Sequence, residues 1–329
     1  MALLAGHRLV ECKLIDGTII SAWLYEAAGP APAIIMSHGF NCVKEMALPE
    51  VAEGFHALGY NVFFYDARSV GSSGGSPRNL IDPLQMAEDL SGENPSREQD
   101  GCPECKGREL TLSLTADIYT YVSRLPSVDA SRIILWGLSV GAVITACSAA
   151  VDHRPRAVVM ICPLFSFIQP QKRHGAFAQV IQDRVSQMRG NKPHEIAPFT
   201  PRGDNPIGMA GAGGAGGRES YAFMRLAKER GAVGFRDRIA LQTYYKLAFF
   251  RPADYVDMIS APVLMVVPEL DLMSDPEEQM AAFKRIEAPG SKLHFASGKG
   301  HLNVATGQGG VELVKLTNDF IQGVLEGTG

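Results

Sequence analysis

The stretch RIILWGLSVGAVITA, residues 132–146, sets one serine between two glycines. Ile133, Ile134, Leu135 and Trp136 precede Gly137 as an unbroken apolar run, and small, helix-compatible residues follow Gly141 from Ala142 to Ala146. The pattern reads as strand, sharp turn, helix. A serine hydroxyl is a weak nucleophile that needs a base in contact, an orienting carboxylate and donors for the oxyanion that forms. A strand-to-helix turn with flanking glycines lifts Oγ above a sheet, where such partners can reach it. A second stretch, Gly71-Ser72-Ser73-Gly74-Gly75, has the same G-x-S-x-G form. It follows FFYDARSV and precedes Ser76-Pro77-Arg78, so no helix opens there. Ser73 therefore reads as a loop residue and Ser139 as the nucleophile.

Around that turn the chain repeats the same alternation. Short apolar runs begin near Pro32 (APAIIMSHG), Asn61 (NVFFYDA), Arg132 (RIILWG), Arg156 (RAVVMICP), Ala261 (APVLMVVPE) and Lys292 (KLHFAS). Near-continuous runs of this kind are how strands covered on both faces of a parallel sheet read. Helix-like segments lie between them at 48–58, 115–125, 140–151 and 277–285. Two earlier segments, 7–14 and 18–25, flank Asp16-Gly17, a strong hairpin signal, so the sheet begins with an antiparallel pair. The expected architecture is α/β: a mostly parallel eight-stranded sheet flanked by helices.

Two regions break the rhythm. Residues 165–250 read as amphipathic helix with scattered Phe, Tyr and Met, and are expected to form a lid inserted between core segments 1–164 and 251–329. Gly211, Gly213 and Gly216 inside it satisfy G-x-G-x-x-G. A dinucleotide site needs a strand before that motif, and PRGDNP is no strand, so a flexible glycine linker is the expectation. Residues 91–114 are polar and turn-rich, and read as a loop insertion splitting one helix between DPLQMAEDL and TADIYTYVSRL. The alternatives are an ordinary surface loop or an untranslated segment retained in the gene.

The bulk numbers exclude several classes. With 329 residues, 46% hydrophobic, 20% charged and a net charge of −4, the composition is that of a globular protein without a basic stripe, which argues against a nucleic-acid partner. The apolar runs are far shorter than a membrane span. The N-terminus lacks the apolar length and basic flank of a signal peptide, so a cytoplasmic location is expected. Six cysteines do not make a disulfide framework. Cys12, Cys42, Cys147 and Cys162 read as small core residues. Cys102-x-x-Cys105 lacks a second half-site for zinc, and no metal or cofactor is expected.

Partners for Ser139 must follow in the order acid, then histidine. After the run 263–267 come Glu269, Asp271 and Asp275. Strand C-terminal ends are where α/β sheets place functional groups. Asp275 precedes Pro276 and reads as a helix N-cap. Asp271 is favoured, with Glu269 second. Only His294 and His301 follow. His294 lies within a strand-like run, whereas His301 sits in the glycine-rich loop SGKGHLN, which suits a base. The oxyanion hole is expected from two backbone N–H groups, those of Val140 and of Phe40 in MSHGFN. His38 reads as structural or near the pocket mouth, and Asp66-x-Arg68 as a solvated loop anchor.

SHGF after the third strand, YDARSVGSSGG after the fourth, GLSVG at the turn and the final GKGH together resemble the α/β-hydrolase superfamily over most of the chain. HGFNCVKEM, VDASRIILWG, VVPELDLMSDPEEQ and GKGHLNV are similar, more narrowly, to fungal polyketide-associated hydrolases, a group of thiohydrolases and polyketide acyltransferases. The resemblance implies a nucleophile at Ser139, an acid at Asp271 and a base at His301. It implies an acyl (thio)ester substrate, held on the carrier protein of a polyketide synthase in secondary metabolism. A general carboxylesterase or lactonase would use the same machinery, and a non-catalytic binding protein on this scaffold is the reading from another class. Dehalogenases and epoxide hydrolases of the fold carry Asp at the turn, which Ser139 argues against. Nothing in the sequence sets the oligomeric state.

Overall fold

Alternating apolar strands and amphipathic helices bury most surface when the helices cover both faces of one sheet, and the computed structural model of the chain, which describes residues 6–91 and 117–327, has this form. The strands in chain order are β1 (His7–Lys13), β2 (Ile19–Tyr25), β3 (Ala31–Ser37), β4 (Asn61–Tyr65), β5 (Val128–Leu138), β6 (Ala157–Ile161), β7 (Glu195–Ile196), β8 (Ile239–Ala240), β9 (Val263–Pro268) and β10 (Lys292–Ala296). Eight of them make one sheet in the order β1-β2-β4-β3-β5-β6-β9-β10. The pairs β1–β2 and β2–β4 are antiparallel, and every later pair is parallel. The hairpin signalled by Asp16-Gly17 joins β1 to β2, with Gly17 at φ +86°.

The α-helices among the described residues are α1 (Pro49–Ala57), α2 (Pro83–Leu90), α3 (Ile118–Ser123), α4 (Val140–Val151), α5 (Arg173–Met188), α6 (Ala215–Glu229), α7 (Thr243–Phe249), α8 (Pro276–Phe283) and α9 (Gln308–Leu325). One apolar cluster lies where α1 and α9 cover the sheet, around Phe55, Trp136 and Ile321. A larger one lies on the other face, under α2, α3, α4 and α8, and continues into residues 165–250. Those residues hold α5, α6 and α7, plus a short antiparallel pair, β7–β8. The edge strand β10 departs from the reading of strands covered on both faces: Leu293, His294 and Phe295 are exposed.

The expected insertion at 91–114 lies, apart from Ser91, outside the described residues, as do Cys102 and Cys105. On either side, α2 ends with Ser91 in extended backbone. The next helix, α3, starts afresh, its Asp117 side chain accepting a hydrogen bond from Thr120 N at 2.6 Å.

Candidate active site

The turn between β5 and α4 is shaped by what its glycines permit. A Cβ on Gly141 would lie 2.3 Å from Ser37 O and 2.5 Å from His38 O, so only glycine lets α4 start so close to the end of β3. A Cβ on Gly137 would meet Gly141 O at 2.3 Å. Between them Ser139 adopts φ +58°, ψ −115°, a sparsely populated conformation for a residue with a side chain. Such strain costs on the order of 1–3 kcal/mol and persists only where the surroundings enforce it. Here the Ser139 N–H donates to Ile161 O at 2.8 Å and ties the turn to β6.

Three distant residues converge at this point. His301 Nε2 lies 3.0 Å from Ser139 Oγ, and His301 Nδ1 lies 3.0 and 2.9 Å from the two oxygens of Asp271. All three side chains are buried. Asp271 is fixed in turn: its Oδ1 accepts the Met273 and Ser274 N–H groups, each at 2.8 Å, and Gln279 Nε2 approaches Oδ2 at 3.4 Å. The other carboxylates are occupied elsewhere. Glu269 is exposed and accepts from Ser297 Oγ and Gly298 N, each at 2.7 Å. Asp275 caps α8, accepting from Glu277 N at 2.9 Å.

The loop after β3 runs beside the turn, where a Cβ on Gly39 would lie 3.6 Å from Ser139 Cβ. Phe40 follows directly. Val140 opens α4, so its N–H is one of the helix's first-turn donors without an intrahelical acceptor. His38 is held inside the protein: its Nε2 accepts from Ala67 N at 3.1 Å, which leaves Nδ1 to donate to Gly39 O at 2.9 Å.

Ser73 is structural, since its hydroxyl donates to Asp66 O at 2.6 Å and accepts from Ser21 N at 2.8 Å. Asp66 corrects the expectation of a solvated anchor. It is fully buried, accepts from Lys44 Nζ at 2.7 Å, and also receives the Lys44 and Ser72 N–H groups at 2.8 Å. A buried carboxylate needs such partners because desolvation is costly without them. Arg68 bridges Asp89 and Asp16 nearby. The glycine-rich segment is also no free linker. A Cβ on Gly211 would meet Met273 Cα at 2.6 Å, one on Gly216 Leu272 O at 2.9 Å and one on Gly217 Gly203 O at 2.0 Å, so these three pack tightly, the first two against the Asp271 loop, while Gly214 faces open space.

Cys162, read from sequence as a core residue, contributes to the site. It follows β6, adopts φ +40° and donates from Sγ to His301 O at 3.6 Å, which helps hold the histidine loop. Its place just past a strand's C-terminal end was the available signal; Gln279, midway along a helix, offered none. Cys162, Asp271 and His301 each place one ligand-type atom within 4.8 Å of the others. Among these atoms His301 Nδ1 faces Asp271 Oδ2 at 2.9 Å, and Cys162 Sγ donates to His301 O.

Burial alone would lower the His301 pKa, but the Cys162 sulfur and the Asp271 carboxylate reverse this and raise it well above 6.5. Burial pushes the Cys162 thiol itself up. A base must be neutral to accept a proton. The acid limb of a kcat/KM profile is therefore expected above pH 6.5, with activity falling as pH drops through it. A profile flat down to pH 6 or below would oppose His301 as the titrating base.

Over Ser139 lies a chamber of about 50 Å³, lined by Phe40, Leu138, Phe199, Met224, Met273 and His301. A larger cleft of about 800 Å³, which includes Arg78, Asp183 and Arg236, opens elsewhere between residues 77–78 and 179–241 and contains none of the three converging residues.

A parallel sheet with an antiparallel start, a strained serine between a strand and a helix, and histidine and carboxylate on the loops after the last two strands define an α/β hydrolase. The chain belongs to the alpha/beta hydrolase family, whose model matches residues 34–312. It is 36% identical over 322 residues to a thiohydrolase of Eupenicillium brefeldianum, covering 97% of this chain and 95% of that one. It is 33% identical to the polyketide transferase af380 of Aspergillus fumigatus, over 95% of this chain and 97% of the relative. Among solved structures, that of DcsB in complex with its substrate analogue matches with a TM-score of 0.85 and 51% identity, covering 96% of this chain and 98% of that one. No described helix is long and apolar enough to cross a membrane.

Proposed function

We propose that this chain is a serine hydrolase or acyltransferase acting on polyketide-type acyl thioesters, delivered on the carrier protein of a polyketide synthase during secondary-metabolite biosynthesis. The observation that carries the reading is the relay from Ser139 through His301 to Asp271, with contacts of 3.0 and 2.9 Å. Ser139 Oγ attacks the thioester carbon as His301 Nε2 takes its proton. Asp271 holds the tautomer with the proton on Nδ1 and stabilises the imidazolium. The N–H groups of Phe40 and Val140 receive the oxyanion. His301 then protonates the departing thiolate, leaving an acyl-Ser139 ester. Water releases the acid, or an alcohol takes the acyl group, with His301 acting first as base and then returning the proton to Ser139.

Residues 1–164 and 251–329 serve as the catalytic core in this reading, and 165–250 as a cap that supplies Phe199, Met209 and Met224 to the chamber. Free thiols at Cys12, Cys42, Cys147 and Cys162 suit a reducing, cytoplasmic location. The names of the relatives favour thioesters over the small free esters of a carboxylesterase or lactonase. Matched acyl thioesters and oxoesters test this: kcat/KM is expected to be clearly higher for the thioester. Turnover of oxoesters alone would assign the chain to the carboxylesterases.

A further inference from the structure

The chamber over Ser139, at about 50 Å³, has no room for a long acyl chain, but a second cavity shares a wall with it. This cleft of about 330 Å³ lies between α6 and the outer strands β1 and β2. Met46, Ala47 and Phe223 line both spaces. The partition is itself strained: Leu48 N donates to Met46 O at 2.7 Å across a three-residue turn, with Ala47 at φ +59°. Turns of this kind are rare and cluster where a structure must hold an unfavourable shape for function.

The cleft is built for a mostly apolar occupant. Trp23 forms one side, stacked on His7 with ring centroids 4.3 Å apart, and Leu226, Ala227 and Val233 form the other. It also concentrates unpartnered polar atoms. Tyr25 OH, His7 Nδ1 and Glu45 Oε2 are buried and have no hydrogen-bond partner among the described residues. Tyr25 is only 1% exposed. Buried polar atoms are nearly always satisfied, so three orphans around one cavity point to a group that arrives from outside. Burial raises the Glu45 carboxyl and lowers the His7 imidazole, and Lys44 Nζ meets Glu45 Oε1 at 3.2 Å, so only Oε2 of that carboxyl is left over.

The geometry points to this cleft as the subsite for the distal part of the acyl chain, and to a substrate that carries a hydroxyl or carbonyl oxygen far from its thioester. The inference rests on the reading of Ser139 as an acyl-transfer nucleophile. The thioester sits over Ser139, the chain passes Met46 and Ala47, and its far oxygen meets the orphaned groups beside Trp23.

The test uses three thioesters of N-acetylcysteamine: acetyl, octanoyl, and octanoyl bearing a hydroxyl on its penultimate carbon. Each methylene buried in the cleft is expected to raise kcat/KM by about fourfold, and the distal hydroxyl by about tenfold more. Tyr25→Phe should remove most of the hydroxyl preference and keep the length preference. Ala227→Trp, or Val233→Phe should the first not fold, should remove both. Equal rates for plain and hydroxylated octanoyl, or preferences unchanged in the filled variants, would overturn the subsite. A wild type that turns over none of the three would refute the proposed function instead. The cleft is then read by calorimetry with the hydroxylated octanamide. Binding to the wild type that Ala227→Trp or Val233→Phe abolishes supports the subsite; no binding, or binding that both keep, rejects it.

Discussion

Ser139→Ala is expected to lower kcat on acyl thioesters by about a millionfold, to the residual rate that binding and oxyanion donors alone sustain. The substitution removes one oxygen from a buried site and leaves the helix start, the glycines and the His301–Asp271 pair in place. Folding should not suffer; Ala relieves no steric demand at φ +58° and adds none. Steady-state kinetics beside a melting curve separates lost chemistry from lost structure. A loss below about a hundredfold would mean that another group attacks. Ser73 could not take that part, because its hydroxyl is bonded to Asp66 O and Ser21 N in the interior.

The second large effect belongs to Asp271→Asn, expected to cost about 10⁴ in kcat. The reasoning runs through the tautomer. Asp271 Oδ1 is pinned by the Met273 and Ser274 N–H groups, so an asparagine keeps its oxygen there and turns its NH2 toward His301 Nδ1. A donor facing Nδ1 moves the imidazole proton to Nε2, the atom 3.0 Å from Ser139 Oγ. The histidine can then no longer accept the serine proton. In the Ser139→Ala background the same change should add almost nothing, as the proposed relay requires of three side chains working as one unit. Glu269→Gln is the contrast: Glu269 is exposed and holds Ser297 and Gly298, so its loss should change kcat no more than a few-fold. Kinetics of the two single variants and the double variant check all three expectations. A larger loss from Glu269→Gln than from Asp271→Asn would exchange their roles.

Much of this was legible in the sequence because it depends on local patterns. The strand before Gly137 and the small residues after Gly141 announce the turn, and hydrophobic runs bounded by turn residues announce the parallel strands. The order of Asp271 and His301, each in the loop after its strand, narrowed the partners to a few residues. What escaped depends on contacts between segments far apart in the chain. Asp66 looked solvated because its partner, Lys44, is supplied by the loop after β3. Gly211 and Gly216 looked flexible because composition does not reveal that Leu272 and Met273 lie against them. The exposure of β10 follows from its place at the sheet edge, which its apolar residues do not encode. Cys162 was readable as buried, but its bond to the His301 carbonyl needed the fold.

The most direct test of Ser139 as the activated nucleophile is covalent. The wild type is incubated with a fluorophosphonate probe, digested, and the modified peptide identified by mass spectrometry, with Ser139→Ala treated alongside. A single adduct on the peptide containing Ser139, absent from the variant and slowed by competing acyl thioester, is the predicted result. An unlabelled wild type, or a label that persists in Ser139→Ala, would contradict it.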